Sequence, residues 1–224
     1  MEVLIGMAKK IYWENPKDRE LITKLLKKDE IIVSSTDTIY GFLGDTTQKA
    51  WQNICDLKEV AQKRPFLILI SQEDILEKVS HFADLSELPE KTIKFIKSCW
   101  PGPVTFIFKT KSGLPEFLSS DTETVALRCP DHAGLQEILK DFNGLFSTSA
   151  NKSAEPAPIK YSDISPDILE KIKYIICDAQ ESQQVTSSTL VNLTSLECDK
   201  ELPFEVIREG AFSVEKLQDI YSKL

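Results

Sequence analysis

Leu145-Phe146-Ser147-Thr148-Ser149-Ala150-Asn151 is the stretch on which the reading of this chain turns. Two large apolar residues lead into three hydroxyls, a small residue and an amide. A strand that starts in the core and ends in a turn has this pattern, because its polar groups gather where the chain leaves the sheet. Ligands of α/β sheets bind at such strand ends. The same change from apolar to polar recurs along the chain. Ile31-Ile32-Val33 runs into Ser34-Ser35-Thr36-Asp37-Thr38-Ile39-Tyr40-Gly41. Phe66-Leu67-Ile68-Leu69-Ile70 is the clearest buried strand, and the basic segment from Lys58 to Pro65 precedes it. Thr124-Val125-Ala126-Leu127-Arg128 reads as a strand with an arginine at its end.

Working outward, further strands are expected at 104–108, after Trp100-Pro101-Gly102-Pro103, and at 174–177, 189–191 and 204–208. Asn15-Pro16 followed by Leu21, Ile22, Leu25 and Leu26 predicts a capped amphipathic helix. Ala50, Ile54 and Leu57 share a helical face, as do Leu135, Ile138, Leu139 and Phe142; other helices are expected near 72–79, 89–98 and from about 213. Strands and helices intermix, which predicts an α/β fold with a mixed, twisted sheet. No linker divides the chain, so one domain over 1–224 is expected.

Composition narrows the class. Of 224 residues, 42% are hydrophobic, enough for a substantial core. A formal charge of −8 argues against broad non-specific nucleic-acid binding, which draws on summed cationic charge, though not against a local basic groove. Five cysteines without a C-x-x-C pair and two histidines, His81 and His132, predict no zinc site and a reducing compartment. No apolar run reaches the roughly 20 residues of a membrane helix, and Met1 to Lys10 does not read as a signal peptide. A cytoplasmic protein without membrane contact is expected.

The sequence has no P-loop, no G-x-G-x-x-G turn, no kinase signature set and no G-x-S-x-G elbow. What it places at strand ends is an inventory of hydroxyls, one amide and several cations. That set suits an amino acid and a nucleoside triphosphate better than an acid/base carboxylate pair. Each block has a plainer reading alone. Trp100 to Pro103 is also a rigid turn with a packed Trp, and Lys63-Arg64 a solvated pair. Tyr40, Phe42, Trp51, Phe106 and Phe108 read as core, and both histidines as structural or surface residues.

Taken in order, however, the blocks resemble the threonylcarbamoyl-AMP synthase (YrdC-like) family. Thr36 to Gly41 is similar to its P-T-[ED]-T-x-Y-G, with Ser35 in place of the proline. Trp100 to Thr105 resembles W-P-G-P-x-T, and Thr124 to Arg128 with His132 resembles T-V-A-x-R followed by x-P-x-H. Ser147 to Asn151 resembles S-T-S-A-N, Ser188-Thr189 a later S-T-[IV]-V, and Arg208-Glu209-Gly210-Ala211 an R-x-G-A block. The blocks span about 15–212. The resemblance implies a YrdC-like twisted mixed sheet flanked by helices, with a concave ligand-binding surface.

It also implies a reaction. The amine of L-threonine takes up bicarbonate-derived CO₂ to give a carbamate, whose oxygen attacks the α-phosphorus of ATP. Pyrophosphate leaves, and threonylcarbamoyl-AMP remains for a separate transferase complex that makes N6-threonylcarbamoyladenosine at position 37 of tRNA. Such a site positions reactants and offsets negative charge, with no covalent nucleophile and with Mg²⁺ on the ATP phosphates. By the resemblance, Thr38, Arg128, Ser149 and Ser188 hold threonine. Lys58, Arg64, Thr124, Asn151 and Arg208 lie toward ATP. A guanidinium forks onto two carboxylate oxygens, which fits Arg128 for the threonine carboxylate, so Arg128→Ala is expected to raise the threonine requirement and leave the fold intact. The chain resembles the short form of the family, without the extra C-terminal domain of longer members.

Besides Ser35, three positions depart from the family pattern. Val60 stands where K-x-R-x-x-x-[KN]-P-L has its Arg; losing one charge-assisted phosphate contact corresponds to about 1.5–3 kcal/mol, or roughly 10–150-fold in affinity. Lys63 or Arg64 can reach from the same loop. Leu69 stands where some members of the family have a His, and Ile159 where many have a Thr. Val60 motivates a second expectation: a paralogue that binds a nucleotide or RNA without synthesis.

Overall fold

A computed structural model describes residues 8–60, 65–153, 155–178, 186–196 and 203–224. The first half runs β1 (Lys9–Tyr12), α1 (Pro16–Leu26), β2 (Ile32–Ser34), β3 (Gly41–Asp45), α2 (Gln48–Lys58), β4 (Leu67–Leu69), α3 (Ile75–Ser80), α4 (Glu90–Cys99) and β5 (Val104–Lys109). The second half runs β6 (Thr124–Arg128), α5 (Ala133–Leu139), β7 (Leu145–Ser149), α6 (Pro166–Lys171), β8 (Tyr174–Cys177), β9 (Thr189–Asn192), β10 (Glu205–Arg208) and α7 (Val214–Ser222). Among the described residues no helix is long and apolar enough to cross a membrane.

Local chemistry sets the helix ends. Asn15 caps α1 by accepting the Lys17 N–H at 3.1 Å, with Pro16 as its first residue. Thr47 caps α2 through the Ala50 N–H, also at 3.1 Å, and α2 stops where Glu59 turns left-handed at φ 55°. His132 caps α5: its Nδ1 accepts the Leu135 N–H at 3.1 Å.

The strands form one ten-stranded mixed sheet in the order β1-β8-β2-β3-β7-β4-β6-β5-β9-β10. One face is covered along its length. Phe42, Ile68, Phe106, Leu127, Phe146 and Val191 point into a cluster roofed by α2, α3, α4, α6 and α7. Fully burying side chains of this size contributes about 1.5–3 kcal/mol each, so the strand register is firmly held. Among the described residues, an apolar cover extends over only half the width of the opposite face. Ile32, Leu43, Leu69, Leu145 and Ile176 pack beneath α1 and α5, and neither β6, β5, β9 nor β10 contributes a residue to that second cluster.

Two strands were not expected. β3 reads Gly-Phe-Leu-Gly-Asp, and its glycines mask the strand pattern. Both glycines answer to packing: a Cβ on Gly41 would lie 2.9 Å from the Thr148 carbonyl oxygen, and one on Gly44 would lie 2.8 Å from Ile31 Cδ1. β1 is an edge strand whose Lys9, Lys10 and Tyr12 are exposed, so only Ile11 carries an apolar signal. The expected strand 66–70 is shorter as an observed ladder, Leu67–Leu69.

Candidate functional site

Alternation along a strand sends every second side chain to the same face. In β6, Val125 and Leu127 are buried in the covered cluster, so Thr124, Ala126 and Arg128 point to the other half of the opposite face. Register extends that face sideways. Ala126 lies opposite Ile107, Thr105 is in line with Leu190 and Ile107 with Asn192, and Leu67 lies opposite Ser147. Ser149 follows Ser147 with the same parity. This half-face, without an apolar helix cover among the described residues, is therefore a strip of aliphatic, hydroxyl and amide side chains edged by Arg128.

At its far edge the strip is completed by an irregularity. β10 pairs Glu205 with Asn192 and Val206 with Val191, but then Arg208, not Ile207, stands opposite Leu190. The bulge moves Arg208 onto the face carrying Leu190 and Asn192 and leaves Ile207 exposed. Arg208 donates through Nη2 to the Ser188 carbonyl at 2.9 Å.

Arg128 is only 3% exposed. Its Nε donates to the Gly102 carbonyl at 3.1 Å, its Nη1 to Thr38 Oγ1 at 3.0 Å, and its Nη2 lies 2.5 Å from Asp37 Oδ2. The last contact is a close, buried ion pair. Burial pulls the Arg128 pKa down and Asp37 opposes this. The Trp100–Pro103 turn thus also positions Arg128, because Gly102 accepts from it while Trp100 packs on Phe106 and donates to Val104 O at 2.6 Å. Beside it, Ser188 Oγ and Thr105 Oγ1 share a hydrogen bond of 2.7 Å.

The direction of the bonds around Thr38 follows by elimination. Thr36 Oγ1 donates its proton to the Ile39 carbonyl at 2.8 Å, so in the 3.1 Å contact between hydroxyls it is Thr38 that donates to Thr36. Thr38 Oγ1 also accepts from Arg128. Its proton is committed, and toward a ligand it can act only as an acceptor.

Lys58 builds a second cluster. Its Nζ donates to the carbonyls of Ser149 and Asn151 at 2.7 and 2.9 Å, and to Asn151 Oδ1 at 3.2 Å. Burial draws its pKa down to about 8, against a smaller opposing pull from Glu155. Ser149 Oγ donates to Asn151 Oδ1. Ser149, Asn151 and Lys58 therefore form one unit, joined to the Thr38 loop because Gly41 pairs with Ser149 and the Ala150 N–H donates to the Tyr40 carbonyl at 3.0 Å.

Thr124 stands at the other end of β6 from Arg128, roughly 13 Å away at about 3.3 Å per residue. Its hydroxyl lies 2.7 Å from Ser120 Oγ. There the strip opens into a groove of about 1180 Å³ lined by Ile107, Thr124 and Asn192 and by the 110–123 loop.

Most of the expected residues are thus gathered on one face: Arg128, Ser149, Ser188 and Arg208 by register or direct bonding, Thr38 through Arg128, and Lys58 and Asn151 through Ser149. Arg64, like Lys63, lies outside the described residues. Arg128 has a buried ion-pair partner, so the expectation that Arg128→Ala leaves the fold intact does not stand. Val60 is packed against the covered core. Leu69 is 1% exposed beneath the second cluster, and the Ile159 N–H donates to Asp163 Oδ2 at 3.1 Å. Sequence reasoning missed Asp37, although it sits inside a block already singled out. It also missed the network behind that block: Ser35, at the family's proline position, accepts from Trp13 Nε1 at 3.2 Å and donates to Asp178 Oδ2 at 2.8 Å. Asp178 also holds His132 Nε2 at 2.8 Å, and although burial opposes it, this contact and Ser35 hold the Asp178 pKa below the usual carboxylate range. His132 is then structural.

Among the described residues no group of three or more His, Cys, Asp or Glu could hold a metal ion.

The Sua5/YciO/YrdC family model, described as telomere recombination, matches residues 24–210. A Methanocaldococcus jannaschii protein provisionally named threonylcarbamoyl-AMP synthase is 30% identical, over 93% of this chain and 95% of its own. A Pyrococcus abyssi threonylcarbamoyl-AMP synthase is 26% identical over 100% of this chain, which spans only 62% of that relative. The solved structure of P. abyssi Sua5 with L-threonine superposes with a TM-score of 0.80 at 23% identity, covering 96% of this chain and 61% of that one; this likeness is one of fold.

Proposed function

Because the chain belongs to the Sua5/YciO/YrdC family, we propose that it is an enzyme, an L-threonylcarbamoyladenylate synthase that acts as a nucleotidyltransferase. It joins L-threonine, bicarbonate and ATP into threonylcarbamoyl-AMP, releasing pyrophosphate and water. The product serves tRNA N6-threonylcarbamoyladenosine modification by a separate transferase complex.

The observation that carries this reading is Arg128: a buried guanidinium, held by Gly102, Thr38 and Asp37, at the edge of this half-face. A guanidinium held in this way is preorganised for a carboxylate, and its orientation costs nothing further when the ligand arrives. In this reading Arg128 takes the threonine carboxylate, with Thr38, Ser149 and Ser188 around the rest of the amino acid. Ser149 hydrogen-bonds into the Lys58–Asn151 unit, so the threonine and ATP halves adjoin through it. Lys58, Asn151, Arg208, Thr124 and Arg64 serve ATP, whose phosphates bring Mg²⁺ with them as part of the substrate. The carbamate oxygen attacks the α-phosphorus, and the bond to the pyrophosphate oxygen breaks. Lys58 offsets the charge that develops, and the chain supplies position and charge without a covalent intermediate.

The test is incubation with ATP, Mg²⁺, bicarbonate and L-threonine, following pyrophosphate and the AMP-linked product by mass. Threonine-dependent release of both is expected; none would refute the reading. Two observations favour a rival, a paralogue that binds nucleotide or RNA without synthesis: Val60 is packed against the core, and Lys58 spends three hydrogen bonds on the protein. Tight nucleotide or RNA binding without threonine-dependent pyrophosphate would establish that rival.

A further inference from the structure

The mechanism above leaves one buried charged group unused. The side chain of Asp37 is 9% exposed, and its Oδ1 has no hydrogen-bond partner among the described residues. Its other oxygen is occupied: Oδ2 accepts the Asp131 N–H at 3.1 Å and lies against Arg128 Nη2. A buried carboxylate oxygen without a donor is costly, and native structures retain such atoms where function uses them. Beside it, Arg128 Nη2 lies against Oδ2, and a guanidinium nitrogen carries a second N–H beyond the one facing that oxygen. A carboxylate oxygen without a donor and a cationic donor group thus stand side by side on one ion pair.

That juxtaposition matches one chemical head group. An α-amino acid carries its carboxylate and its amino nitrogen on the same carbon, so both fall within reach of adjacent partners. We propose that Asp37 contacts the substrate: its Oδ1 accepts an N–H from the α-amino nitrogen while Arg128 takes the carboxylate, so that the pair reads both charges of an α-amino acid. Thr38 Oγ1, which can only accept, lies on the same side of Arg128 and presents no competing donor to Asp37. The contact survives the chemistry. An amine that becomes a carbamate keeps one N–H, which Oδ1 can still accept, and the negative Asp37 turns the new carbamate oxygens away from itself. This inference rests on the proposed threonine reading and assigns the part of the substrate that Asp37 recognises.

Equilibrium binding by calorimetry tests it, using L-threonine and (R)-3-hydroxybutyrate, which is threonine without the α-amino group. Leaving a buried acceptor unpaired weakens binding by about 10–150-fold, so the wild type should prefer threonine by that factor. Asp37→Asn, verified as folded by circular dichroism, should reduce the preference to below roughly 5-fold, chiefly by weakening threonine. If Asp37 acts only by holding Arg128, the variant weakens both ligands alike and the preference stays, which overturns the proposal. Should Asp37→Asn not fold, Asp37→Ser takes its place with the same readout. A wild type that binds both ligands equally also overturns it, with no variant needed. The two readings fail separately. If threonine does not bind but another α-amino acid is preferred over its own deamino form by the same factor, the threonine assignment falls and the role of Asp37 stands. If threonine binds without that preference, the role of Asp37 falls and threonine stands.

Discussion

Removing Arg128 should unfold more than it disarms. Its side chain is 4% exposed and that of Asp37 is 9% exposed, so Arg128→Ala leaves a carboxylate in the interior with one backbone donor, the Asp131 N–H. Breaking a buried pair by deleting one partner costs about 3–5 kcal/mol, because the surviving charge loses its compensation but keeps its desolvation penalty. Against a typical domain stability of about 5–15 kcal/mol, that is about a fifth of the total or more. It corresponds to a fall in Tm of roughly 6–20 °C at about 2–4 °C per kcal/mol for a chain of this size. The lost bonds to Gly102 and Thr38 belong to the same network and are not added separately. Deleting the charge on both sides should behave differently. Asp37→Asn with Arg128→Met keeps an acceptor for Asp131 and fills the space apolarly, so the double variant should lie within about 1.5 kcal/mol of the wild type. Urea titrations of the wild type, Arg128→Ala and the double variant at constant m-value give both numbers. A loss below about 1 kcal/mol for Arg128→Ala, or a double variant no more stable than it, would refute the reasoning. For activity work Arg128→Lys is the better probe, since it keeps the charge that Asp37 needs while losing the fork.

Other consequences follow from the same geometry. Lys58 loses its proton near pH 8, so ATP binding should weaken by up to about tenfold per unit above that pH, while Lys58→Arg should stay flat; calorimetry from pH 7 to 9.5 decides, and a flat wild type counts against Lys58 as a phosphate partner. The same depressed pKa makes the unfolded chain bind more protons than the folded one between about 8 and 10.5, so the stability contribution of Lys58 should rise with pH across that window. A Cβ at Gly210 would lie 2.2 Å from the Ser187 carbonyl oxygen and 2.7 Å from that of Ser188, both backbone, so Gly210→Ala should cost about 1–3 kcal/mol and weaken threonine binding by displacing Ser188. Gly113→Ala, whose Cβ meets nothing but whose φ is +78°, should cost about 1 kcal/mol and leave threonine binding alone. Val60→Arg should tighten ATP if the family alignment holds at that loop, at some cost in packing; an unchanged Kd would point to Arg64 as the cation already serving the phosphates.

Much of this molecule was legible without coordinates. The apolar runs of β5, β6, β7 and β8 were readable because strands buried on one or both faces must be apolar where they are covered. Asn15-Pro16 and the helical apolar spacing fixed α1, because capping and amphipathicity are local properties. Ordered polar blocks at strand ends pointed to the family and to Thr38, Arg128, Ser149, Ser188 and Arg208. What stayed hidden depends on pairing between distant segments. β3 lacks a readable pattern because its glycines answer to Thr148 and Ile31, not to their own neighbours. No local signal could show that, among the described residues, the apolar cover from α1 and α5 ends halfway across one sheet face. The bulge that turns Arg208 toward Leu190 exists only in the register of β10 on β9. Ser147 to Asn151 announced a polar strand end, but that Lys58 binds its carbonyls, and that Asp37 faces Arg128 across 91 positions of sequence, was decided by the fold alone. A buried charge must find its partner in space, and sequence order does not record that distance.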